Sequence, residues 1–142
     1  MTGLWIVLAA VVVAAAFGGY RRLTDGRARA VAEDGAPRLD RARLGDELGE
    51  QATFVQFSAT VCAPCRATHR VLSEVITDHP GVAHIDLNAE SRLDLVEEFG
   101  ILRTPTVLLV DANGVVRNRI VGAARKDEVL EALDQLSVRP AA

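Results

Sequence analysis

Residues 52–79 place a strand-forming stretch, ATFVQFSA (52–59), just ahead of Cys62-Ala63-Pro64-Cys65, which opens a helical pattern running to residue 79. The strand carries Phe54, Val55 and Phe57, and the helix carries Val71, Leu72, Val75 and Ile76 on one side. A strand feeding directly into an amphipathic helix implies a layered α/β chain. The rest of the sequence alternates in the same way. ARLGDELGE (42–50) predicts a short amphipathic helix and GVAHIDLN (81–88) a strand. SRLDLVEEFG (91–100) predicts a helix with Leu93, Val96 and Phe99 on one face and Gly100 as its stop. TPTVLLVD (104–111) is the continuous apolar run of a central strand. Asn113-Gly114 predicts a two-residue hairpin turn into VVRNRIVG (115–122). KDEVLEALDQL (126–136) closes the chain as a helix burying Val129, Leu130, Leu133 and Leu136. The order predicts a small mixed central sheet with helices on both faces.

The N-terminal segment is of another kind. Leu4 to Tyr20 carries no charge for 17 residues, enough for about 25–30 Å of helix, or one hydrocarbon core. Trp5 and Tyr20 stand near its ends, where interfacial aromatics belong. A cleaved signal peptide and a buried core helix are the rival readings. The first lacks a basic n-region, and arginines follow the apolar run directly; the second lacks a polar face. The expectation is a transmembrane anchor over residues 1–20. Arg21, Arg22, Arg27 and Arg29 follow it, so the positive-inside rule puts the rest of the chain in the cytoplasm; an extracytoplasmic, anchored or secreted domain is the alternative. Residues 21–38 hold Gly26, Gly35 and Pro37 without an apolar period and read as a basic tether. The folded domain is expected over 39–137, with a tail over 138–142.

Charge limits the partners. Residues 20–43 carry seven arginines against four acids, whereas the remainder has nine basic and fifteen acidic residues. That acidic domain argues against nucleic acid.

Cys62 and Cys65 are the only two cysteines in 142 residues. A bridge between them closes so small a loop that it removes little entropy from the unfolded chain, so a stabilising staple is a weak reading. A zinc site needs four ligands. Cys62, Cys65 and His69 have a loosely finger-like spacing, but no second cysteine pair exists, and His79 and His84 fall at a helix end and in a strand. A redox couple fits the position. At a helix start the backbone N–H groups and the dipole stabilise a thiolate at Cys62, and Cys65 lies one turn on, placed to resolve a mixed disulfide. Pro64 suits the first helical turn and stiffens the loop between the sulfurs. His69, one turn past Cys65, is a candidate for tuning it; packing or a plain surface role is the other reading.

VQFSATVCAPCRA, followed by RTPTVLLVDANG with its Pro105 40 residues after Cys65, resembles the thioredoxin family over about residues 39–137. The resemblance implies a thioredoxin fold and a protein-disulfide reductase that works without a cofactor through a redox-active Cys62–Cys65 disulfide. It implies a cis peptide before Pro105, with Thr104 and Pro105 holding substrate peptide as an added strand. It also implies, more weakly, substrate contact at Gly122 and at Val61, which precedes the first cysteine. The departures are specific. Val61 and Ser58 stand where the family carries aromatics, and Gln56 stands where it buries an aspartate that handles the second thiol's proton. His84 is the nearest match to that aspartate's basic partner. Gln56 does not titrate, although its amide is able to bond a thiol or position a water. The proton relay is therefore rebuilt or absent, and slower exchange is expected; a neutral packing substitution is the alternative reading of Gln56.

The functional expectation is a membrane-tethered thiol–disulfide oxidoreductase. Its partners would be protein or small-molecule disulfides, and an upstream thiol donor of the thioredoxin-reductase kind or of low molecular weight. Ala63-Pro64 lacks the histidine of strong oxidants, which favours reduction. The alternatives are a non-catalytic docking module for a membrane partner, an extracytoplasmic oxidant or cytochrome-maturation-type reductant, and a dithiol metal carrier.

Overall fold

The structure, a computed structural model, describes residues 2–32 and 36–138. Helix α1 spans Thr2–Thr24 and buries none of its residues. At 1.5 Å per residue it is about 35 Å long. It is long and apolar enough to cross a membrane, by length and composition.

Five strands form one sheet: β1 (Ala28–Ala30), β2 (Ala52–Ser58), β3 (Val82–Asn88), β4 (Thr106–Asp111) and β5 (Val116–Val121), in the order β1-β5-β4-β2-β3. Only the β2–β3 pair is parallel; the others are antiparallel. The helices are α2 (Arg41–Leu44), α3 (Ala63–Asp78), α4 (Leu93–Glu98) and α5 (Lys126–Val138).

Period-two alternation in the central strands divides the core into two layers. Val55 and Phe57 of β2 and Leu108 and Val110 of β4 pack with Leu44, Leu95 and Phe99 on the α2–α4 face. Phe54 of β2 and Val107 and Leu109 of β4 pack with Leu72, Val75, Val129 and Leu133 on the α3–α5 face. Phe54, Phe57, Leu72, Leu95 and Leu108 are fully buried, each side chain worth about 1.5–3 kcal/mol of transfer free energy. Three of the four phenylalanines, Phe54, Phe57 and Phe99, stand in these layers, and aliphatic side chains fill the rest of both sides of the sheet. The expected mixed sheet with helices on both faces is the observed one.

Three local expectations change. Residues 21–38 are not only a tether: α1 continues through Thr24, and Ala28–Ala30 pair with Ile120–Asn118 as an edge strand. The pairing extends through Val31 N–H to the Arg117 carbonyl and Leu39 N–H to the Gly114 carbonyl. Backbone groups make these contacts, so Ala-Arg-Ala needs no apolar pattern to form them. The helix expected over 42–50 stops after four residues. Asp40 caps its start by accepting from Arg43 N–H at 2.8 Å, and Gly45, in the left-handed region, ends it by donating to the Arg41 carbonyl. Arg43 then reaches across to pair with Glu98 of α4. The hairpin is not a two-residue primed turn, since such a turn over Asn113-Gly114 needs positive φ at Asn113, and among the described residues only glycines have positive φ. Instead Gly114 N–H donates to the Asp111 carbonyl, Gly114 takes φ 80°, and Asp111 N–H closes the loop on the Val115 carbonyl. The Asp111 carboxylate accepts from both Asn113 and Val115 N–H at 2.9 Å. Beyond Val138 the expected tail lies outside the described residues, as does Gly35 of the expected tether.

Candidate active site at the strand–helix junction

Strand β2 ends at Ser58 and α3 begins at Ala63, leaving four residues to turn the chain. Cys62 is the N-cap of α3, with extended backbone, and its Sγ accepts the Cys65 N–H at 3.2 Å. That bond satisfies one of the orphan donors of the helix start. Pro64 occupies the first turn, where its missing N–H leaves nothing unpaired. Cys62 and Cys65 are joined as a disulfide with Cα atoms 5.2 Å apart. Both are nearly covered, Cys62 at 9% exposure and Cys65 at 4%, while Val61 beside them is 92% exposed.

The Thr104–Pro105 peptide is cis and lies just ahead of β4. Gly122 N–H donates to the Pro105 carbonyl at 2.9 Å, so the structure brings these two predicted residues together. Behind them Arg103 forms an ion pair with Asp25 at 2.8 Å, which fastens the end of the α1 segment beside this loop.

Gln56 is fully buried. Its Nε2 donates to Ser58 Oγ at 2.8 Å and to the Cys65 carbonyl at 3.0 Å, so the amide bonds the backbone of the second cysteine and not its sulfur. Its Oε1 lies 3.1 Å from His84 Nε2. A carbonyl oxygen only accepts, so His84 donates from Nε2. Ser58 Oγ in turn donates its hydrogen bond to Asp86 Oδ1 at 2.6 Å, and Asp86 Oδ2 faces His69 Nδ1 at 3.2 Å. The rings of His69 and His84 are 4.8 Å apart. Burial, reinforced by the neighbouring His69 and opposed by Asp86, pushes His84 down to about 4. A continuous polar chain thus runs His84–Gln56–Ser58–Asp86–His69 along the flank of the dithiol.

Asp86 is the residue that sequence reasoning missed. The alternation His84, Asp86, Asn88 against Ile85, Leu87 was visible in β3. What it lacked was the register, which sets Gln56 against Asp86 and Ser58 against Asn88. Arg66 and Arg70 were also passed over; with Ser58, Thr60, Cys62, Cys65, His69 and Asp86 they line a cavity of about 520 Å³. His79 caps the end of α3 through the Val75 carbonyl, away from this chain. Among the described residues, no group of three or more His, Cys, Asp or Glu is placed to hold a metal ion.

A disulfide at a strand–helix junction, on a mixed sheet with a cis-proline loop ahead of β4, defines a thiol–disulfide oxidoreductase. The thioredoxin family model matches residues 41–135, and the chain belongs to that family. It is 30% identical over 87 residues to a thioredoxin of Chlorobaculum thiosulfatiphilum, covering 61% of this chain and 80% of the relative. It is 34% identical over 92 residues to a thioredoxin of Mycolicibacterium smegmatis, covering 62% and 81%. Among solved structures it is similar to thioredoxin NaTrxh of Nicotiana alata, with TM-score 0.53, 29% identity, and 61% and 73% of the two chains covered. Mitochondrial thioredoxin 3 of Saccharomyces cerevisiae, at TM-score 0.54, 22% identity and 61% and 79% coverage, shares the fold. Thioredoxins work through this disulfide without a cofactor.

Proposed function

We propose that the chain is a membrane-tethered reductase of disulfides. In the reduced state Cys62 attacks and Cys65 resolves. The carrying observation is the placement of Cys62 Sγ as the N-cap acceptor of α3, which supports a thiolate there without a cofactor. Cys62 thiolate displaces one substrate sulfur and forms a mixed disulfide. Cys65 then attacks Cys62, the second substrate sulfur leaves, and the pair is left oxidised. Two electrons pass to the substrate, and an upstream thiol donor returns them. Thr104, Pro105, Gly122 and the exposed Val61 form the seat for an extended substrate chain. Val61 offers it an apolar side chain in place of a larger aromatic.

The α1 helix serves as the anchor. The arginines that follow it favour a domain on the cytoplasmic side, where a reducing thiol pool keeps the pair reduced. The short link through Asp25 and Gly26, fastened to Arg103 and to the Val121 carbonyl, holds the domain close to that anchor.

The test has two parts. Full-length protein in detergent should reduce insulin disulfides with dithiothreitol as donor, and Cys62→Ser should abolish turnover. A docking module would bind its partner equally well as Cys62→Ser and show no turnover in either form. In intact cells, an impermeant thiol reagent should fail to label Cys62; labelling from outside would reverse the sidedness.

A further inference from the structure

We propose that the cavity flanking the dithiol is a seat for a small disulfide bearing carboxylates, distinct from the extended-chain seat at Thr104-Pro105. The proposal rests on the reductase reading and adds a substrate class to it. Residues 58–60, Ser-Ala-Thr, are small, and they leave a hollow between the end of β2, the first turns of α3 and Asp86 of β3. Its volume, about 520 Å³, falls in the range of small-molecule sites, about 300–1,000 Å³. Both Cys62 and Cys65 line it, whereas Val61, Thr104, Pro105 and Gly122 do not. On the reductase reading, the extended-chain seat and this hollow are two approaches to one pair of sulfurs.

The charge of the wall selects the occupant. Arg66 and Arg70 stand one turn apart on α3, both exposed and both lining the cavity. Neither has an ion-pair partner among the described residues, whereas Arg43, Arg92, Arg103 and Arg125 are all paired. The one carboxylate in the wall, Asp86, is already engaged, Oδ1 by Ser58 and Oδ2 by His69. Two free guanidiniums beside a redox pair match carboxylates carried a few bonds from a reacting sulfur. A γ-glutamyl tripeptide disulfide has that layout, and a cationic disulfide of the same size does not.

The step balances without a further reagent. Reduced Cys62 attacks one sulfur of the small disulfide; the Cys62–S bond forms, the S–S bond breaks, and one small thiolate leaves. Cys65 attacks Cys62 and releases the second. The dithiol loses two electrons and two protons, and the small disulfide gains them and becomes two thiols. The reverse sequence lets two small thiols recharge the oxidised protein through the same seat.

The experiment uses full-length reduced protein in detergent at low ionic strength, mixed with excess oxidised glutathione (anionic) or cystamine (cationic). The reading is the ratio of the two oxidation rates. The double substitution Arg66→Ala/Arg70→Ala should lower the glutathione-to-cystamine ratio about tenfold, and Arg66→Glu/Arg70→Glu should lower it further. Added salt should shrink the wild-type preference. Lys126→Ala, which removes one positive charge from α5 outside the cavity, should leave the ratio unaltered. An equal slowing with both disulfides would mean that the arginines act only on the thiolate, and that outcome, or an unchanged ratio, overturns the proposal. If wild-type protein reduces insulin, and reduces oxidised glutathione and cystamine without charge preference, this inference fails and the reductase reading stands. If it reduces none of the three, the reductase reading fails.

Discussion

The Gln56 amide donates to the carbonyl of Cys65 at 3.0 Å, tying the buried centre of β2 to the second cysteine by its backbone. The same amide donates to Ser58 while its oxygen accepts from His84, so all three of these bonds serve to fix geometry. None of it moves a proton, because an amide does not titrate in the physiological range. Gln56→Asp installs a group able to take the proton of Cys65 during resolution. Insulin reduction near pH 7 should rise about threefold to tenfold. The carboxylate would be desolvated and would abandon the Cys65 carbonyl, so urea unfolding should show about 1–3 kcal/mol of lost stability. An unchanged rate with lowered stability would make Gln56 a packing and positioning residue only.

His84 gives the stability a defined pH dependence. Its folded value of about 4 lies below the unfolded value of about 6.5, so the unfolded chain takes up the proton first as pH falls. The stability that His84 contributes is present above pH 6.5. It is lost progressively between about 6.5 and about 4, and does not change further below that. The groups facing it are Gln56 from β2, Asp86 from its own strand and His69 from α3. Partial solvent contact at this edge strand reduces the full shift to about 1–2 kcal/mol. Unfolding free energies from urea titration at pH 7.5 and 4.5 should differ less in His84→Gln than in wild type by that amount. Identical pH slopes in the two proteins would show that His84 is not held neutral.

The glycine at the hairpin should resist replacement for two independent reasons. Gly114 has φ 80°, and a Cβ there would overlap the carbonyl oxygen of Leu39, a backbone atom with no room to retreat. Leu39 is itself fully buried and donates its N–H to the Gly114 carbonyl. Gly114→Ala should cost about 2–4 kcal/mol, the left-handed backbone giving about 1 and the displaced strand the rest. Thermal unfolding measures it; a loss below about 1 kcal/mol would mean the hairpin shifts freely away from Leu39.

What the sequence conveyed and what it hid divide along a physical line. Strong local patterns transferred well: the apolar runs of β2 and β4, the 3.6-residue period of α3 and α5, and Cys-x-Pro-Cys at a helix start each depend on neighbours in sequence. The site's second half depends on pairing. Asp86 acquires its role only because the parallel register sets it beside Gln56, and a register cannot be read from one strand alone. Gly45 could have warned that the helix expected over 42–50 would stop early. Asn113-Gly114 misled in the opposite direction, because Asp111 supplies its own side-chain bonds and selects a longer loop.

Ala28–Ala30 was the least legible element, and truncation tests whether it matters. No residue of α1 is buried, so removing residues 2–23 should leave the unfolding free energy of the remainder within about 0.5 kcal/mol. Removing residues 2–31 should do more. It deletes the β1–β5 ladder, the Asp25–Arg103 ion pair and the bond from Ala28 N–H to Glu128 Oε2 of α5, and it bares the edge of β5. At about 0.5–1.5 kcal/mol for each lost backbone bond, the loss should reach about 2–4 kcal/mol. The exposed β5 edge should also promote association, visible by light scattering. Equal stability of the two truncations would return residues 24–31 to the role of a tether, with the folded unit starting at Leu39. A large loss confined to the longer truncation would place the domain boundary at the end of α1 and leave almost no free chain between the anchor and the dithiol domain.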